Sequence, residues 1–260
     1  MRLDVYLTER GLVESRARAK RLIESGAVYL NGTVASKCSL DVEGEAQITL
    51  REERFVGRGG EKLAAALELF HIDPIGARAL DIGASTGGFT DCLLQNGAAA
   101  VVAIDAGCDQ LHPKLKNDPR VTNIEKYNAR DLSPDDVGIV SLAVMDVSFI
   151  SQTYILPRLP SVLAEGGRVV TLIKPQFEAG RSALNKKGLV KSPKDRIAAI
   201  RRVLLSAGEC GLVCRGLAPS PILGGDGNEE FLACFTLGDG KAANAAVPVE
   251  DIVLRRAIFR

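Results

Sequence analysis

One stretch of the chain combines an acid, several glycines and a predicted change from strand to helix. Residues 80–90 read LDIGASTGGFT, with Asp81 two positions before Gly83. Glycines let a ligand approach the backbone closely, and a helix N-terminus attracts electronegative groups. The spacing is not the G-x-G-x-x-G of dinucleotide binders, and an acid here would repel a pyrophosphate. The pattern therefore favours S-adenosylmethionine, whose amino acid end is cationic, over a dinucleotide. A purely structural glycine turn is the remaining alternative.

Two further acids extend this predicted cofactor site. Asp105 ends the next predicted strand, where an acid can accept hydrogen bonds from both ribose hydroxyls of a nucleoside. Asp131 follows residues 128–130 (NAR) and could accept a hydrogen bond from an adenine amino group, although a solvated surface acid fits there as well. The complete set of predicted cofactor-binding residues is Asp81, Gly83, Ala84, Ser85, Thr86, Gly87, Gly88, Phe89, Asp105 and Asp131.

Four dispersed ionisable residues form a second candidate site: Lys62, Asp146, Lys174 and Glu230. Asp146 and Lys174 each follow an apolar run, which places them at the carboxyl ends of predicted parallel strands, where open α/β sheets bind ligands. Lys62 lies in the first turn of a predicted helix, where the helix dipole disfavours a cation. Each residue alone could equally be a solvated or snorkelling side chain. Together they could hold a hydroxyl group and take its proton, with Lys174 as the predicted base.

A third feature is a local excess of positive charge in a chain whose net charge is only +1. Between residues 10 and 21 there are five basic residues and a single acid, Glu14. An exposed cluster of this kind suits the phosphates of a nucleic acid, although a solvated helix face would look the same in sequence.

The elements that must hold these residues separate into two parts. In residues 1–50, Ser15 can cap a helix over 16–24 that stops at Gly26. The pair Asn31-Gly32 between β-forming residues predicts a hairpin, which residues 47–50 extend with a closing strand. The charged residues 51–58 are predicted to form a linker.

From residue 59 onward, helix and strand patterns alternate. An apolar stripe at helical spacing runs from Leu63 to Phe70, and a helix is predicted over 89–95. Predicted strands lie at 79–82, 100–104, 139–145 and 168–173. This alternation predicts a doubly wound, parallel α/β sheet. Two later strands, at 212–217 and 231–237, are joined without a helix, which predicts an antiparallel edge pair. Residues 241–260 show no assignable pattern.

Composition limits the class of protein. Charged residues such as Arg2 and Asp4 interrupt any apolar run at the start, so no signal peptide is predicted, and no segment has the length of a membrane span. The six cysteines are predicted to be buried free thiols of a reducing compartment, with a metal site at Cys210 and Cys214 as a much weaker alternative. We expect a cytoplasmic protein with no metal site and no membrane partner.

The same segments resemble a known family. Residues 1–32, with Arg2-Leu3-Asp4, Ser15-Arg16 and Asn31-Gly32, resemble the αL-type RNA-binding motif first seen in a small-subunit ribosomal protein. The remainder resembles the FtsJ-like methyltransferases. The matching segments are residues 58–63 (RGGEKL), 80–91 (LDIGASTGGFTD), 145–150 (MDVSFI), 172–178 (LIKPQFE) and 227–231 (GNEEF). Both parts in this order, over residues 1–238, are similar to the TlyA family, whose members carry the label hemolysin and methylate cytidine 2′-hydroxyls in ribosomal RNA.

The resemblance implies a fold, a cofactor and residue roles. The fold is a Rossmann-like doubly wound methyltransferase sheet with an antiparallel edge pair, preceded by a small α+β RNA-binding domain. The implied domains are residues 1–58, the RNA-binding domain and linker; 59–240, the S-adenosylmethionine-dependent domain; and 241–260, an unassigned tail. The implied catalytic tetrad is Lys62, Asp146, Lys174 and Glu230. The residues expected to contact RNA are Arg2, Arg16, Arg18, Lys20, Arg21 and Asn31. The chain departs from the pattern at Gly225-Asp226, where the family often carries proline and a small residue, and in its longer tail.

Three functions are therefore compared. The first is a ribosomal RNA (cytidine-2′-O)-methyltransferase whose partner is ribosomal RNA or a ribosomal subunit. The second is a membrane-active hemolysin, which the missing export signal and the narrow apolar stripe of the helix over 16–24 oppose. The third is a non-catalytic ribosome-associated RNA-binding protein, which the intact tetrad and glycine turn oppose. The sequence does not indicate the oligomeric state.

Overall fold

The computed structural model describes residues 1–24, 26–35, 37–42, 44–50, 54–224 and 227–254, without the side chains of Arg21 and Glu24. The chain divides into two units, Met1–Arg58 and Gly59–Arg260. Gly225-Asp226, the departure from the family pattern, lies outside the described residues.

The first unit packs two helices against a small antiparallel sheet. Its helices are α1, Leu3–Glu9, and α2, Arg16–Glu24. Its strands are β1, Val28–Leu30, β2, Thr33–Val34, and β3, Ile48–Leu50, in the order β2-β1-β3. The buried residues of these elements form one apolar core that includes Leu3, Leu7, Ile23 and Val28.

Two local sequence signals in this unit are confirmed. The Arg18 N–H donates to Ser15 Oγ at 3.2 Å, so Ser15 caps α2 as its position predicts. Asn31 and Gly32 have φ angles of 50° and 79°, the left-handed values that a two-residue hairpin turn requires. Helix α1 was not assigned from the sequence.

The second unit contains a seven-stranded sheet in the order β6-β5-β4-β7-β8-β10-β9. The strands are β4, Arg78–Ile82, β5, Ala100–Ile104, β6, Val121–Ile124, β7, Val140–Met145, β8, Leu163–Ile173, β9, Leu212–Pro219, and β10, Phe231–Leu237. Strands β4 to β8 are parallel, and β10 runs antiparallel to both β8 and β9. The parallel sheet and its antiparallel pair are therefore confirmed.

The helices of this unit connect the strands or close the chain. They are α3, Gly59–Leu69, α4, Gly88–Gln95, α5, Pro113–Lys116, α6, Pro134–Val137, α7, Leu159–Val162, α8, Pro175–Glu178, α9, Pro193–Glu209, α10, Lys241–Ala245, and α11, Val249–Leu254. The apolar face of α9 lies in the main core together with Val249 and Val253 of α11.

One buried side chain holds the C-terminal segment in place. Asn244 in α10 donates to the Leu204 and Leu212 carbonyls, both at 2.9 Å, and accepts from the Cys214 N–H at 2.7 Å. Residues 241–254, unassigned from the sequence, are therefore folded against α9 and β9.

The cysteines are free thiols, but most of them are less buried than predicted. Cys92 and Cys234 are buried, whereas Cys38, Cys210 and Cys214 are half-buried and Cys108 is exposed in a loop after β5. The prediction of burial was therefore wrong for four of the six. Burial raises the pKa of the Cys214 thiol to about 11, which makes it unreactive at neutral pH. None of the helices in the described part of the chain combines the length and apolar character needed to cross a lipid bilayer.

Candidate functional site

The strand order of the sheet reverses between β4 and β7. Strand order runs from β4 outward to β6 on one side and from β7 outward to β9 on the other, so the loops after β4 and β7 open a crevice at the carboxyl ends of the strands. We call this side of the sheet the carboxyl edge. The Asp146 N–H donates to the Ile82 carbonyl at 3.0 Å. A Cβ on Gly83, at φ 84°, would lie 2.7 Å from the Asp146 carbonyl oxygen, so only glycine fits.

Asp81 is the last residue but one of β4 and is fully buried at the carboxyl end of that strand. Its Oδ2 accepts from Thr90 Oγ1 at 2.7 Å, whereas Oδ1 has no hydrogen-bond partner among the residues that the structure describes. Complete burial raises the pKa of Asp81 to about 7 against the lowering effect of the Thr90 hydrogen bond, and the nearby charge of Asp146 raises it further. An unpaired acceptor of this kind is satisfied by a cationic donor.

Asp105 holds the glycine-rich turn against the next strand. Its Oδ2 accepts from the Ser85 N–H at 2.8 Å and its Oδ1 from the Gly107 N–H at 2.7 Å, so each oxygen keeps lone-pair capacity for a further donor. The Tyr127 N–H donates to the Asp105 carbonyl at 2.9 Å, which brings the loop after β6 to the same place. Asp131 lies exposed at the end of a short 3-10 helix in that loop.

The rest of the predicted turn is partly buried. Ser85 and Thr86 are exposed, whereas Ala84, Gly87 and Gly88 are buried. Phe89 is buried beside Gly59, whose Cβ would lie 3.3 Å from the ring.

The four dispersed residues meet as two ion pairs on the carboxyl edge. Lys62 Nζ lies 2.5 Å from Glu230 Oε2, and Lys174 Nζ lies 2.7 Å from Asp146 Oδ1. The strands that carry three of them are neighbours, because Met145 is in register with Thr171 and Ile173 with Phe231. Lys62 is the fourth residue of α3.

The two pairs differ in burial. The Lys62 and Glu230 side chains are 10% and 3% exposed, and a Cβ on Gly224 would lie 2.5 Å from Glu230 Oε1, so the backbone of the β9–β10 loop closes over this carboxylate. Asp146 is 20% exposed, and Lys174 also donates to Ser148 Oγ at 2.8 Å. The Lys174 side chain is 11% exposed, about as much as Lys62, so the two pairs differ in the exposure of their acids.

Sequence reasoning missed the residues that support Lys174 and Asp146. Buried Glu178 accepts from Ser151 Oγ at 2.5 Å and from the Gln152 N–H at 2.8 Å, which ties α8 to the loop after β7. Burial raises the pKa of this carboxyl group. Ser148 and Glu178 lie in the segments MDVSFI and LIKPQFE, which also contain Asp146 and Lys174. This closeness in sequence to the candidate catalytic residues was the signal that could have identified them.

The exposed aromatic ring of Phe149 packs against Phe177. Phe149 is 92% exposed and has a φ of 63°, a conformation that costs a bulky residue about 1–3 kcal/mol. Its ring centroid lies 5.1 Å from that of Phe177, and Lys174 Nζ lies 6.0 Å from the Phe177 centroid. A strained, solvated phenylalanine at this position offers an apolar face to a ligand.

In the first unit, two of the predicted RNA-binding residues are fixed by one acid. Buried Asp4 accepts from Arg2 Nε at 2.9 Å and from Arg16 Nη2 at 2.8 Å, and these two guanidinium groups hold the pKa of Asp4 well below its usual range. The arginine side chains are 54% and 62% exposed, so their other donors face solvent.

The other predicted RNA-binding residues have varied surroundings. Lys20 is exposed and Arg18 half-buried, and the side chain of Arg21 lies outside the described residues. Asn31 Oδ1 accepts from the Gln47 N–H at 3.0 Å and therefore helps to close the hairpin. The described residues contain no group of three or more histidine, cysteine or acidic side chains that could hold a metal ion.

Two family models match the chain. Residues 55–237 match the FtsJ-like methyltransferase model, and residues 1–48 match the S4 domain model. These ranges contain the two ion pairs and the basic helix α2, respectively.

Relatives cover almost the whole chain. A Bacillus subtilis protein named as a candidate rRNA methyltransferase, YqxC, is 46% identical over 97% of this chain and 91% of its own length. The 16S/23S rRNA (cytidine-2′-O)-methyltransferase TlyA of Mycobacterium tuberculosis is 41% identical over 98% of this chain and 96% of its own. Hemolysin A of Brachyspira hyodysenteriae is 42% identical over 91% of this chain and 100% of its own.

Solved structures show the same architecture. A candidate hemolysin from Streptococcus thermophilus superimposes with a TM-score of 0.78 at 40% identity, over 99% of this chain and 96% of its own. A candidate S-adenosylmethionine-dependent methyltransferase from Listeria monocytogenes, at 13% identity and a TM-score of 0.53 over 69% of this chain and 98% of its own, shares the fold alone.

Proposed function

The chain belongs to the FtsJ-like methyltransferases and, among them, to the TlyA family, and from this premise we propose that it transfers a methyl group from S-adenosylmethionine to a cytidine 2′-hydroxyl of ribosomal RNA. The observation that carries the proposal is the pair of ion pairs, Lys62–Glu230 and Lys174–Asp146, on the same edge of the sheet as the glycine-rich turn. Acidic and basic groups in this arrangement suit proton removal from a hydroxyl group.

The residues present fit the proposed cofactor. Asp81 Oδ1 is buried without a partner among the described residues and lies beside a second carboxylate, Asp146, so it suits the cationic amino acid end. Asp105 keeps free lone pairs for ribose hydroxyls, and Asp131 lies in a loop bonded to it for the adenine amino group. When bound, S-adenosylmethionine supplies an electrophilic methyl group.

Lys174 is the base in this proposal. Ser148 Oγ and Asp146 Oδ1 occupy two sides of its nitrogen, which leaves a third side for the 2′-hydroxyl. Asp146 orients Lys174, and the buried Glu230 holds Lys62 in place through their ion pair. Phe149 follows Ser148, which accepts from Lys174, and it presents an exposed ring on which a nucleobase can stack. The first unit supplies affinity for RNA through the arginines held by Asp4.

The ionisation of Asp81 gives the cofactor affinity a defined pH dependence. Its pKa is about 7, and only the carboxylate form pairs with a cation. Affinity should therefore rise about tenfold between pH 5.5 and 7, with proton release on binding. The α-amino group of the ligand stays charged in this window, since such groups titrate at about 7.7–8.0.

Calorimetry at several pH values, in buffers of different ionisation enthalpy, measures both quantities. The matched control is Asp81→Asn, which should bind more weakly and without this pH dependence. An affinity of the wild-type protein that does not change across the window would contradict the role of Asp81.

RNA affinity should depend on the exposed face of α2. The double substitution Arg16→Gln/Lys20→Gln removes two phosphate contacts, so the slope of log affinity against log salt should fall by about 1.4 for single-stranded RNA. S-adenosylmethionine binding should stay unchanged. The charge-matched control is Lys37→Gln/Lys241→Gln, at exposed lysines outside the patch. If RNA affinity and its salt slope survive in the α2 variant, the first unit has another role.

The proposed function is tested by methyl transfer from labelled S-adenosylmethionine to 16S and 23S ribosomal RNA and to purified ribosomal subunits. We expect labelled RNA and one S-adenosylhomocysteine per methyl group. Cofactor binding without transfer to any of these substrates would favour a non-catalytic RNA-binding protein. No cofactor binding and lysis of erythrocytes or lipid vesicles by the purified protein would favour the hemolysin.

A further inference from the structure

A basic segment lies between Lys174 and Glu230 in the sequence. Residues 181–194 (RSALNKKGLVKSPK) contain five basic residues and no acid, in a chain whose net charge is only +1. All five are exposed: Arg181, Lys186, Lys187, Lys191 and Lys194. We call residues 181–191 the basic hairpin.

The basic hairpin has a defined conformation. Leu184 and Val190 form an antiparallel bridge, and the Asn185 N–H donates to the Leu189 carbonyl at 2.9 Å. Asn185 Oδ1 accepts from the Lys187 N–H at 2.8 Å and from the Leu189 N–H at 3.1 Å. The side chain of Asn185 therefore closes the turn whose tip carries Lys186 and Lys187.

A buried asparagine fastens this hairpin to the carboxyl edge. Asn228 Nδ2 donates to the Gly188 carbonyl at 3.1 Å, and Asn228 Oδ1 accepts from the Val190 N–H at 3.2 Å. Asn228 is 6% exposed and stands two residues before Glu230. On its other side the hairpin begins three residues after Glu178, which closes the helix that follows Lys174. The hairpin is thus held beside the tetrad.

We infer that the basic hairpin is a second RNA-binding surface, which holds backbone phosphates next to the nucleotide to be methylated; this rests on the proposed function. Clustered like charges repel one another, and a polyanion relieves that repulsion. The hairpin presents no large exposed apolar side chain, because Ala183 and Val190 are buried and Leu184 and Leu189 half-buried, so phosphate contact suits it better than insertion into a lipid.

The position of the basic hairpin beside the tetrad favours contact with the RNA strand that carries the target nucleotide over contact with a distant part of the RNA. Rate depends on holding the reacting hydroxyl in place, and phosphate contacts fix register without reading sequence. A surface tied to Asn228 keeps its position relative to the segment that carries Glu230, so it can hold the RNA backbone near the reactive ribose. The basic hairpin and Asn228 both belong to the second unit, so this contact does not involve the first unit.

The test is binding of a 23S ribosomal RNA transcript by Lys186→Ala/Lys187→Ala at several salt concentrations, with S-adenosylmethionine binding measured in parallel. We expect about tenfold weaker RNA binding near physiological salt, a salt slope smaller by about 1.4, and unchanged cofactor affinity. The single variants Lys187→Ala and Lys241→Ala form a matched pair. Lys241 is exposed and follows β10 at the opposite edge of the sheet, so its variant should bind like the wild type.

Unchanged RNA affinity and salt slope in the double variant would overturn the inference, and so would an equal loss of affinity in Lys241→Ala. A loss of affinity seen only with assembled subunits would also overturn it, because it would indicate a ribosomal protein as the contact. Binding is measured without turnover, so its outcome is separate from that of the proposed function. A wild-type protein that binds the transcript through the hairpin and transfers no methyl group would contradict only the latter.

Discussion

Replacing Lys174 by arginine should lower the single-turnover rate of methyl transfer by about 10²–10⁴-fold. A ribose hydroxyl is a weak nucleophile at neutral pH. In the proposed mechanism the Lys174 ammonium group first gives a proton to solvent, and the resulting neutral amine takes the hydroxyl proton as the methyl group is transferred. Arginine keeps the positive charge and can still contact Asp146, but a guanidinium group does not give up a proton in this range. The variant therefore keeps the ion pair but loses the proton transfer, so its activity shows whether Lys174 acts as a base or only as a positive charge.

The measurement is single-turnover methylation with saturating cofactor and RNA, after binding of both has been shown to be within a few-fold of wild type. Lys241→Arg, at an exposed lysine on the opposite edge of the sheet, is the matched control and should react normally. Activity of Lys174→Arg within a few-fold of wild type would remove Lys174 as the base. Lys62 would take its place only if Lys62→Arg were inactive.

Replacing Glu230 by glutamine should abolish activity and also lower the free energy of unfolding by about 3–5 kcal/mol. The Lys62–Glu230 pair is nearly buried, so the substitution leaves an ammonium group without a counter-charge in a site from which water is excluded. Glu250→Gln is the control, because the Arg201–Glu250 pair has side chains 39% and 48% exposed and should contribute about 1 kcal/mol or less.

A double variant separates stability from catalysis. Lys62→Met/Glu230→Gln removes both charges, so most of the lost stability should return, whereas methyl transfer should stay absent. Recovery of both stability and activity would show that the pair is structural only. Denaturant unfolding and single-turnover assays on the same preparations give the two readouts.

Helix caps, turns and residues at strand ends were predicted well from the sequence, because they depend on local chemistry. Asp146 and Lys174 were placed at one sheet edge because each follows an apolar run, and carboxyl ends of parallel strands meet at the same side. The Ser15 cap and the Asn31-Gly32 turn were predicted because both signals act over two or three residues. Lys62 and Glu230 were grouped with Asp146 and Lys174 because one lies in the first turn of a helix and the other abuts an apolar strand, and the resemblance implied the same four residues. The direct pairing of Lys62 with Glu230 came only from the structure, since no local pattern links residues so far apart.

The elements that were missed have weak or ambiguous patterns. Strand β6 is short and nowhere fully buried, so it lacks the apolar run by which the other parallel strands were identified. The C-terminal helices are held by tertiary hydrogen bonds of Asn244, which no sequence window contains. The basic hairpin was visible as a charge run, but its meaning depends on Asn228, which lies 40 residues from Gly188 in sequence.

The role of Phe149 could not be predicted because exposure is a property of the folded chain. In sequence it follows Ser148 in a mostly apolar segment and looks like a core residue. Only the structure shows the ring in solvent, on a left-handed backbone and against Phe177. Glu178 is the opposite case, an acid that would be assigned to the surface and is buried as a support for the loop after β7.

The most direct test of the account is to identify the modified nucleoside. Ribosomal RNA methylated by the purified protein is digested to nucleosides, and the methylated product is identified by mass spectrometry, with the Lys174→Arg variant processed in parallel. We expect 2′-O-methylcytidine from the wild-type protein, with the added methyl group on the ribose fragment, and none from the variant. A methyl group on the base, or equal product from the Lys174→Arg variant, would contradict this expectation.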